Sequence, residues 1–572
     1  MKKLFRFFKN YKKEMIISPL FKIFETVSEI IIPLLVAQMI DVGVANHDAN
    51  FVILYGCIVI GLYIVSIVSS IFSQKYAALA ATGISYDIRK SMYEHINTFS
   101  HKELDKFGTA TLNNRMTHDV SRVEQAIGKF LRLIMRSPLI LIGAIISSMV
   151  IDLKLSLIFI AITPIIVGIV LFTLKITDPL YNKAQKNLDK VSEITRENLQ
   201  GVRVVRAFNK QADEERRFTV ASKNLRKAGI KVTNVSSLLS PITTAIINFS
   251  VIAIMWFGGL QVNVGSLTQG EIIAFVNYMT QISTALVTVA NMIIALIKAQ
   301  TCAKRINEVF DTKPSIVETN SAPIEITADA QTPKIEFQNV SFAYDNNAKY
   351  AIKNLNLKIM PGETIGIIGG TGSGKSSIIN LIPRFYDATQ GAVFVDGVNV
   401  NNYSFHQLRS KIGLVPQKAV LFKGTLKENL RWRKQDASLE EMSKAVKISQ
   451  SEEFVNELDG KYDYKVQAGG KNFSGGQRQR LTIARALVGD PEIVIMDDSA
   501  SALDFATDAA LRKAIKENVK STVILVSQRA GTVRNADKIV VLENGNVVGI
   551  GKHKELLECC PVYKEIYDSQ TK

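Results

Sequence analysis

Long apolar runs confined to the first 300 or so residues constrain this chain most. Six of them, at about 15–40, 51–73, 133–151, 155–175, 236–258 and 272–297, match the ~20 apolar residues that cross a bilayer as a helix. In hydrocarbon a helix satisfies its own backbone hydrogen bonds, so such runs predict transmembrane helices. The spans 51–73 and 133–151, and again 155–175 and 236–258, are joined by about 60 residues. Stretches such as 182–200 are charged, helix-favouring and poor in breakers, so the spans are expected to continue as helices into the cytosol. Each pair is then expected to turn back near 104–118 and near 207–214. Residues 312–333 hold three prolines and no periodicity, the mark of a linker. Beyond it, short apolar runs at 364–368, 493–496 and 522–526 alternate with helical stretches, which predicts an α/β domain with buried strands. The expected division is a membrane domain at 1–311, the linker, and the α/β domain at 334–572.

A formal net charge of +17 raises the question of a nucleic-acid partner. Residues 334–572 hold 33 Lys and Arg against 27 Asp and Glu, and residues 1–333 hold 36 against 25. With a cytosolic N-terminus, the outer segments 41–50, 152–154 and 259–271 contain one basic residue, Lys154, while the inner stretches 75–131 and 176–235 are rich in them. The charge therefore reports membrane topology through the positive-inside rule, and no nucleic-acid partner is expected. Residues 1–13 mix aromatic and basic side chains, as a short amphipathic helix on the inner surface does. The basic start runs into an apolar run too long for a cleavable signal. Cys57, Cys302, Cys559 and Cys560 make no metal spacing, and none lies in an outer segment, so no disulfide framework is expected.

In the α/β region, Gly369-Gly370-Thr371-Gly372-Ser373-Gly374-Lys375-Ser376-Ser377 opens the helix-like run 377–382 directly after the run 364–368. That is the context of a P-loop. Glycines let backbone N–H groups face phosphate oxygens, Lys375 brings charge to the β- and γ-phosphates, and the Ser376 hydroxyl is a ligand for Mg²⁺. Asp497 ends the run 493–496, where a carboxylate can hold a Mg²⁺-bound water. Ser474-Gly475-Gly476-Gln477, with Phe473 before it, heads the helical stretch 477–487, a ready anion site.

In this order the motifs resemble the ATP-binding cassette of ABC transporters. The resemblance implies further roles. Tyr344, in Val340-Ser341-Phe342-Ala343-Tyr344, would stack on adenine. Gln417 in Val415-Pro416-Gln417 would contact Mg²⁺ and face the membrane domain. Ser474, Gly475, Gly476 and Gln477 would complete the ATP site of an opposite cassette, and Ser501-Ala502-Leu503-Asp504 would link the two sites. ATP and Mg²⁺ are the implied cofactors. Six transmembrane helices with long cytosolic extensions, then one α/β P-loop NTPase domain, is the layout of a type IV ABC exporter half. The run Gly201-Val202-Arg203-Val204-Val205-Arg206-Ala207-Phe208 also resembles that family's second intracellular loop. One half cannot complete a site, so a second half-transporter is the implied partner, beside membrane lipid and a small hydrophobic or amphiphilic substrate.

Two residues depart from the family pattern. Asp498 stands where the family places a catalytic glutamate, and Gln528 where it places a switch histidine. The aspartate is one methylene shorter, and a misplacement of ~1 Å can cost ~100-fold in rate. Gln528 can hydrogen-bond a γ-phosphate but cannot become an imidazolium. With Lys375, these are the candidate catalytic groups. The pattern resembles the degenerate-site subunit of bacterial heterodimeric multidrug exporters, which would make this a cell-membrane efflux subunit that retains its own ATP. An active homodimer is the alternative within transport; an ATP-gated channel or membrane regulator is the alternative outside it.

Charges also lie inside the spans. Glu25 and Glu29 are one turn apart in the first span, Lys22 precedes them, and Arg132 and Arg136 enter the third. Glu25 and Arg136 each lie 16 residues from an aspartate at the outer end, Asp41 and Asp152, so both are ~24 Å deep and able to pair. An interhelical ion pair and a role in substrate or proton handling both remain open. Asn277, Thr280, Gln281, Thr284 and Asn291 of the sixth span either line a cavity or bond helix to helix.

Overall fold

The computed structural model describes residues 2–318, 329, 331–345, 349–499 and 502–571. Half of the expected linker, at 319–328 and 330, and Ser501 of the expected inter-site loop lie outside them. The chain divides into two compact units: Met1–Asn97 with Thr109–Thr312, and Thr98–Gly108 with Lys313–Lys572.

In the first unit, six helical stretches among the described residues are long and apolar enough to cross a membrane: Lys3–Val44, Ala49–Asn97, Thr109–Ile151, Leu153–Ala207, Gln211–Asn263 and Gln269–Asp311. Each expected span lies within one of them. The expected surface helix at 1–13 is a 3₁₀ segment, Lys2–Tyr11, that runs without a break into α1 (Lys12–Gln38). Leu4 is buried, while Lys3 Nζ reaches Asp311 at 2.5 Å and Arg6 lies over Phe310 at 4.7 Å. The second span, α2 (Ala49–Asn97), shows why the bundle packs. Its buried residues include Ser66, Ser69, Ser73, Ala77, Ala80, Ile84, Ile88 and Met92, which recur every three or four positions, with Ala81 and Ser85 beside them. Small residues let α1 approach closely, and Ser18 Oγ donates to the Ser73 carbonyl at 2.9 Å. On the other side, Ile53, Leu54, Ile60 and Ile64 are exposed, as a lipid-facing surface requires.

The spans do extend as long helices. The fourth is one helix of 55 residues, Leu153–Ala207, and the chain reverses at 208–210, with Asn209 in the left-handed region at φ +52°. The first turn-back differs from the expectation of 104–118. Ser100 caps a separate short helix, α3 (His101–Phe107), through a capping box with Glu103, and Gly108 ends it at φ +73°. Residues 98–108 pack with the α/β unit.

The intramembrane charges pair differently from the expected Glu25–Arg136 arrangement. Glu25 accepts from Lys22 on its own helix at 2.6 Å, both side chains being buried. Arg136 instead meets Glu29, one turn further along, at 3.1 Å. In the sixth span, Gln281 donates to the Glu29 carbonyl at 3.1 Å, whereas Asn277, Thr280 and Thr284 bond carbonyls of their own helix.

The second unit builds two main sheets. An antiparallel sheet contains β1 (Ile335–Phe342), β2 (Ile352–Ile359) and β4 (Gln390–Val395). The central sheet contains β3 (Thr364–Gly369), β5 (Ile412–Val415), β6 (Ile493–Asp497), β7 (Thr522–Ser527) and β8 (Lys538–Glu543), all parallel, with an antiparallel edge strand. Ile365, Ile367, Ile495, Ile524, Val526 and Val540 are buried between them. The apolar runs are strands because both faces of the sheet are covered. Ser527 pairs with Ile368, and Val526 with Asp497, so the carboxyl ends of β3, β7 and β6 lie side by side. That edge is where open α/β sheets bind ligands.

Candidate functional site

A cavity of about 330 Å³ opens at this edge, lined by Tyr344, Thr371, Gly372, Ser373, Gly374, Lys375, Ser376, Ser377, Gln417, Asp497, Asp498 and Gln528, with Ala351 and Val526. Gly369 ends β3 and Gly370 opens the loop after it. The turn needs glycine at two points: Gly372 has φ +78° and Gly374 φ +103°, a region L side chains rarely adopt. Lys375 starts the following helix, and its Nζ donates to the carbonyls of Gly369 and Gly370 at 2.8 and 2.7 Å. That bracing fixes the loop's curl. Burial pushes the Lys375 ammonium below its ordinary value, against the pull of Asp498 and Asp497. Ser373 Oγ is buried and lacks a hydrogen-bond partner among the described residues, as a loop shaped for phosphate oxygens would leave it.

Asp497 is the last residue of β6, and Ser376 Oγ lies 3.2 and 3.4 Å from its two carboxylate oxygens. A hydroxyl and a carboxylate so close form a hard oxygen pair suited to Mg²⁺. Burial pushes the Asp497 carboxyl up; the Ser376 hydrogen bond opposes this. Asp498 sits in the left-handed region at φ +46°, its N–H bonded to the Val526 carbonyl at 2.9 Å. Burial raises its carboxyl as well, against Lys375, Arg529 and a hydrogen bond from Gln417. Gln528 Oε1 accepts from Thr371 Oγ1 at 3.5 Å, placing the amide across the loop from Asp498. Tyr344 packs edge-on to Phe342 at 4.8 Å and to Tyr386 at 5.2 Å, with its hydroxyl 2.9 Å from Ser377 Oγ.

The remaining expected site residues lie outside this cavity. Ser474 caps the helix Gly475–Leu487, accepting from the Gln477 N–H at 3.2 Å while the Gln477 side chain accepts from the Ser474 N–H at 3.0 Å. Gly476 lies against the Ala502 carbonyl, so the signature loop and the inter-site loop are neighbours. Asp504 caps the helix Phe505–Asn518, accepting from the Thr507 N–H at 2.9 Å, and these bonds hold its carboxyl below the ordinary range. Sequence reasoning missed Tyr386 and Arg529: nothing local marks a tyrosine that braces another aromatic 42 positions away. It also missed α3, although Ser100-x-x-Glu103 is a legible capping box.

Comparison with known proteins shows the family. Residues 15–286 match the family model described as ABC transporter transmembrane region, and residues 352–501 match the one described as ABC transporter. The chain is 35% identical over 570 residues to the uncharacterized ABC transporter ATP-binding protein YfiB of Bacillus subtilis, covering 100% of this chain and 98% of that protein. It is 30% identical to the putative multidrug export ATP-binding/permease protein YgaD of the same organism, over 100% and 99%. A solved bacterial Atm1-family ABC exporter with ATP bound shares the fold, with a TM-score of 0.80 over 98% of both chains at 22% identity. The chain belongs to the ABC transporter family, a multi-pass membrane protein that couples ATP hydrolysis in its cytosolic α/β domain to transport through its helical bundle.

Proposed function

We propose that this chain is one half of a heterodimeric exporter of hydrophobic or amphiphilic compounds. It binds ATP firmly, hydrolyses it slowly in its own site, and lends its signature loop to the partner's site. One observation carries the reading: the cavity has a full binding set, from Tyr344 to Lys375, Ser376, Gln417 and Asp497, yet only Asp498 and Gln528 at the positions for hydrolysis. Ser376 and Asp497 would hold Mg²⁺, which neutralises charge between the β- and γ-phosphates. Gln417 positions Asp498 and Lys375 draws the γ-phosphate. Asp498, one methylene short, orients the attacking water poorly. Ser474–Gln477 stand outside the cavity, as a loop meant for another cassette would.

Two further observations support a second half and an amphiphilic substrate. The cytosolic parts of the fourth and fifth spans expose Leu199, Val204, Phe208, Phe218 and Val220, with Phe208 72% exposed, an apolar surface that a partner half would cover. Among similar proteins, YgaD is named for multidrug export, and a protein of Haemophilus influenzae at 29% identity is named an ATP-dependent lipid A-core flippase.

A second reading is a homodimer in which Asp498, which accepts a hydrogen bond from Gln417, still serves as base. Purifying the chain alone separates the two. The heterodimer reading expects turnover far below the ~10 s⁻¹ typical of enzymes, with full activity only when a co-purifying half-transporter is present. A fast ATPase from this chain alone would refute it.

A further inference from the structure

We propose that the α/β unit carries a second small-molecule site, a cationic cleft at the edge of the central sheet opposite the nucleotide cavity. Its ligand is an organic polyanion, a flat apolar body bearing two or more phosphate or carboxylate groups. The cleft holds about 930 Å³, against about 330 Å³ for the nucleotide cavity, and the two share no lining residue. Its place follows from the sheet. Val523 pairs with Thr364 and Lys538 with Ile365, so the amino ends of β3, β7 and β8 lie side by side. Gly362, Thr364, Ser521, Val523 and Asp537 of that edge line the cleft. One wall is the helix Phe505–Asn518, which presents Ala509, Arg512, Lys513 and Lys516 at the spacing of a single helical face. The other wall is built from Arg534 and Asn535, and from Lys552, His553 and Lys554 at the start of the helix His553–Cys559. Buried Ile515, Val523 and Ala536 give the cleft an apolar floor, and Val519 and Leu525 add half-buried apolar surface.

Charge decides what fits. Arg512, Lys513, Lys516, Arg534, Lys552 and Lys554 line the cleft, against two carboxylates, Asp537 and Glu555. Both carboxylates are already engaged. Asp537 accepts from the Thr364 N–H at 2.8 Å, and Glu555 from the Lys552 N–H at 2.8 Å. Of the cations, Arg512 is held by Asp508 at 2.9 Å, and Lys513 lies 4.0 Å from Glu517. Lys516, Arg534, Lys552 and Lys554 make no ion pair among the described residues. The surplus reaches His553, which is buried and bonded to the Tyr563 hydroxyl at 2.8 Å. Arg534 and Lys554 add to burial in lowering its ring below the ordinary 6.5. Uncommitted cations around a concave apolar floor are what a small-molecule site offers: apolar surface for the body and a few polar groups for orientation. Charge-assisted hydrogen bonds from lysine and arginine select phosphate or carboxylate. Walls on both sides suit a compact molecule better than the flat face of a protein.

The test uses the full-length protein in nanodiscs of zwitterionic lipid, with a saturating non-hydrolysable ATP analogue filling the P-loop. The probe is pyrenetetrasulfonate, a flat aromatic tetra-anion whose sulfonates stand in for phosphate and whose charge keeps it out of the bilayer. Fluorescence anisotropy reads binding, and backbone hydrogen exchange locates it. Saturable binding is expected, with slowed exchange over residues 509–519 and 532–537. Lys516→Ala and Arg534→Ala alter exposed side chains, so the fold is kept. Each should weaken binding about tenfold, the loss expected for one hydrogen bond to a charged group. Lys465→Ala removes the same charge from an exposed position outside the cleft and should change binding less than about twofold. Tripolyphosphate, with similar charge and no apolar body, should compete about tenfold more weakly than the probe binds. An equal loss from Lys465→Ala would reduce the effect to the general field of a basic chain and overturn the site. So would equal competition by tripolyphosphate, which leaves the apolar floor without a role, or slowed exchange confined to other segments. An octa-glutamate peptide that displaces the probe at concentrations below the probe's own Kd would assign the cleft to an acidic protein segment, and the small-molecule proposal would fall.

Discussion

Lengthening Asp498 is the sharpest perturbation this site offers. The carboxylate hangs from a left-handed residue at φ +46°, pinned by its N–H bond to Val526 and steered by Gln417. With the backbone held at this point, reach is taken to be set by side-chain length. Asp498→Glu adds one C–C bond, about 1.5 Å. A shortfall of ~1 Å costs about 100-fold, or ~2.7 kcal/mol of barrier. The left-handed backbone tolerates a short polar side chain best, and the longer one costs about 1 kcal/mol of stability. That cost lowers the folded fraction and leaves the rate per folded molecule untouched. The assay is single-turnover ATP hydrolysis in the assembled transporter, with the partner's own P-loop lysine replaced so that only this site turns over. Asp498→Glu is expected to hydrolyse its ATP about 100-fold faster than wild type. Adding Gln528→His should raise the rate further. An unchanged rate in the glutamate variant, with normal folding and ATP binding, would refute the argument that reach limits this site.

Other expectations follow from the same geometry. Tyr344→Ala should weaken ATP binding by the ~1–3 kcal/mol that base–aromatic stacking provides, roughly 5- to 150-fold in Kd. Tyr344→Phe should lose little; nucleotide fluorescence titration reads both. Glu29→Gln leaves Arg136 without its carboxylate; because side chains 26% and 33% exposed are partly screened, the cost is expected at ~1–2 kcal/mol, seen as a lower thermal midpoint in detergent. Burial, assisted by Arg409 and opposed by Asp105, lowers His101 from its ordinary 6.5. The docked helix thus prefers the neutral ring, and its docking is expected to weaken as pH falls below 6.5, the undocked state binding the proton first. Hydrogen exchange over 98–108 at about pH 7.5 and 5.5 measures this, and His101→Gln should flatten the difference.

Periodicity and composition made most of the architecture legible. The six apolar runs became spans because length and hydropathy are local properties, and the breaker-poor stretch 182–200 lies inside one 55-residue helix. The loop from Gly369 to Ser376 and the strand-end Asp497 were legible because their chemistry needs adjacent residues. Pairings between distant segments were not. Depth along the helix suggested Glu25 for Arg136, but that arginine meets Glu29, one turn further along the same face, and Glu25 is left to Lys22. Tyr386 was invisible for the same reason: its partners lie 42 and 281 positions away. The capping box at Ser100 and Glu103 was in plain view, yet a seven-residue helix is too short for periodicity to mark.

The central claim is that this chain's site holds ATP while its partner's site turns it over. The direct measurement loads the purified assembled transporter with ATP and Mg²⁺, allows several turnovers, removes free nucleotide rapidly, and identifies what stays bound. The account predicts one unhydrolysed ATP retained per assembly, lost when Lys375 is replaced and converted to ADP by Asp498→Glu. Retention of ADP alone, or retained ATP that survives replacement of Lys375, would contradict it.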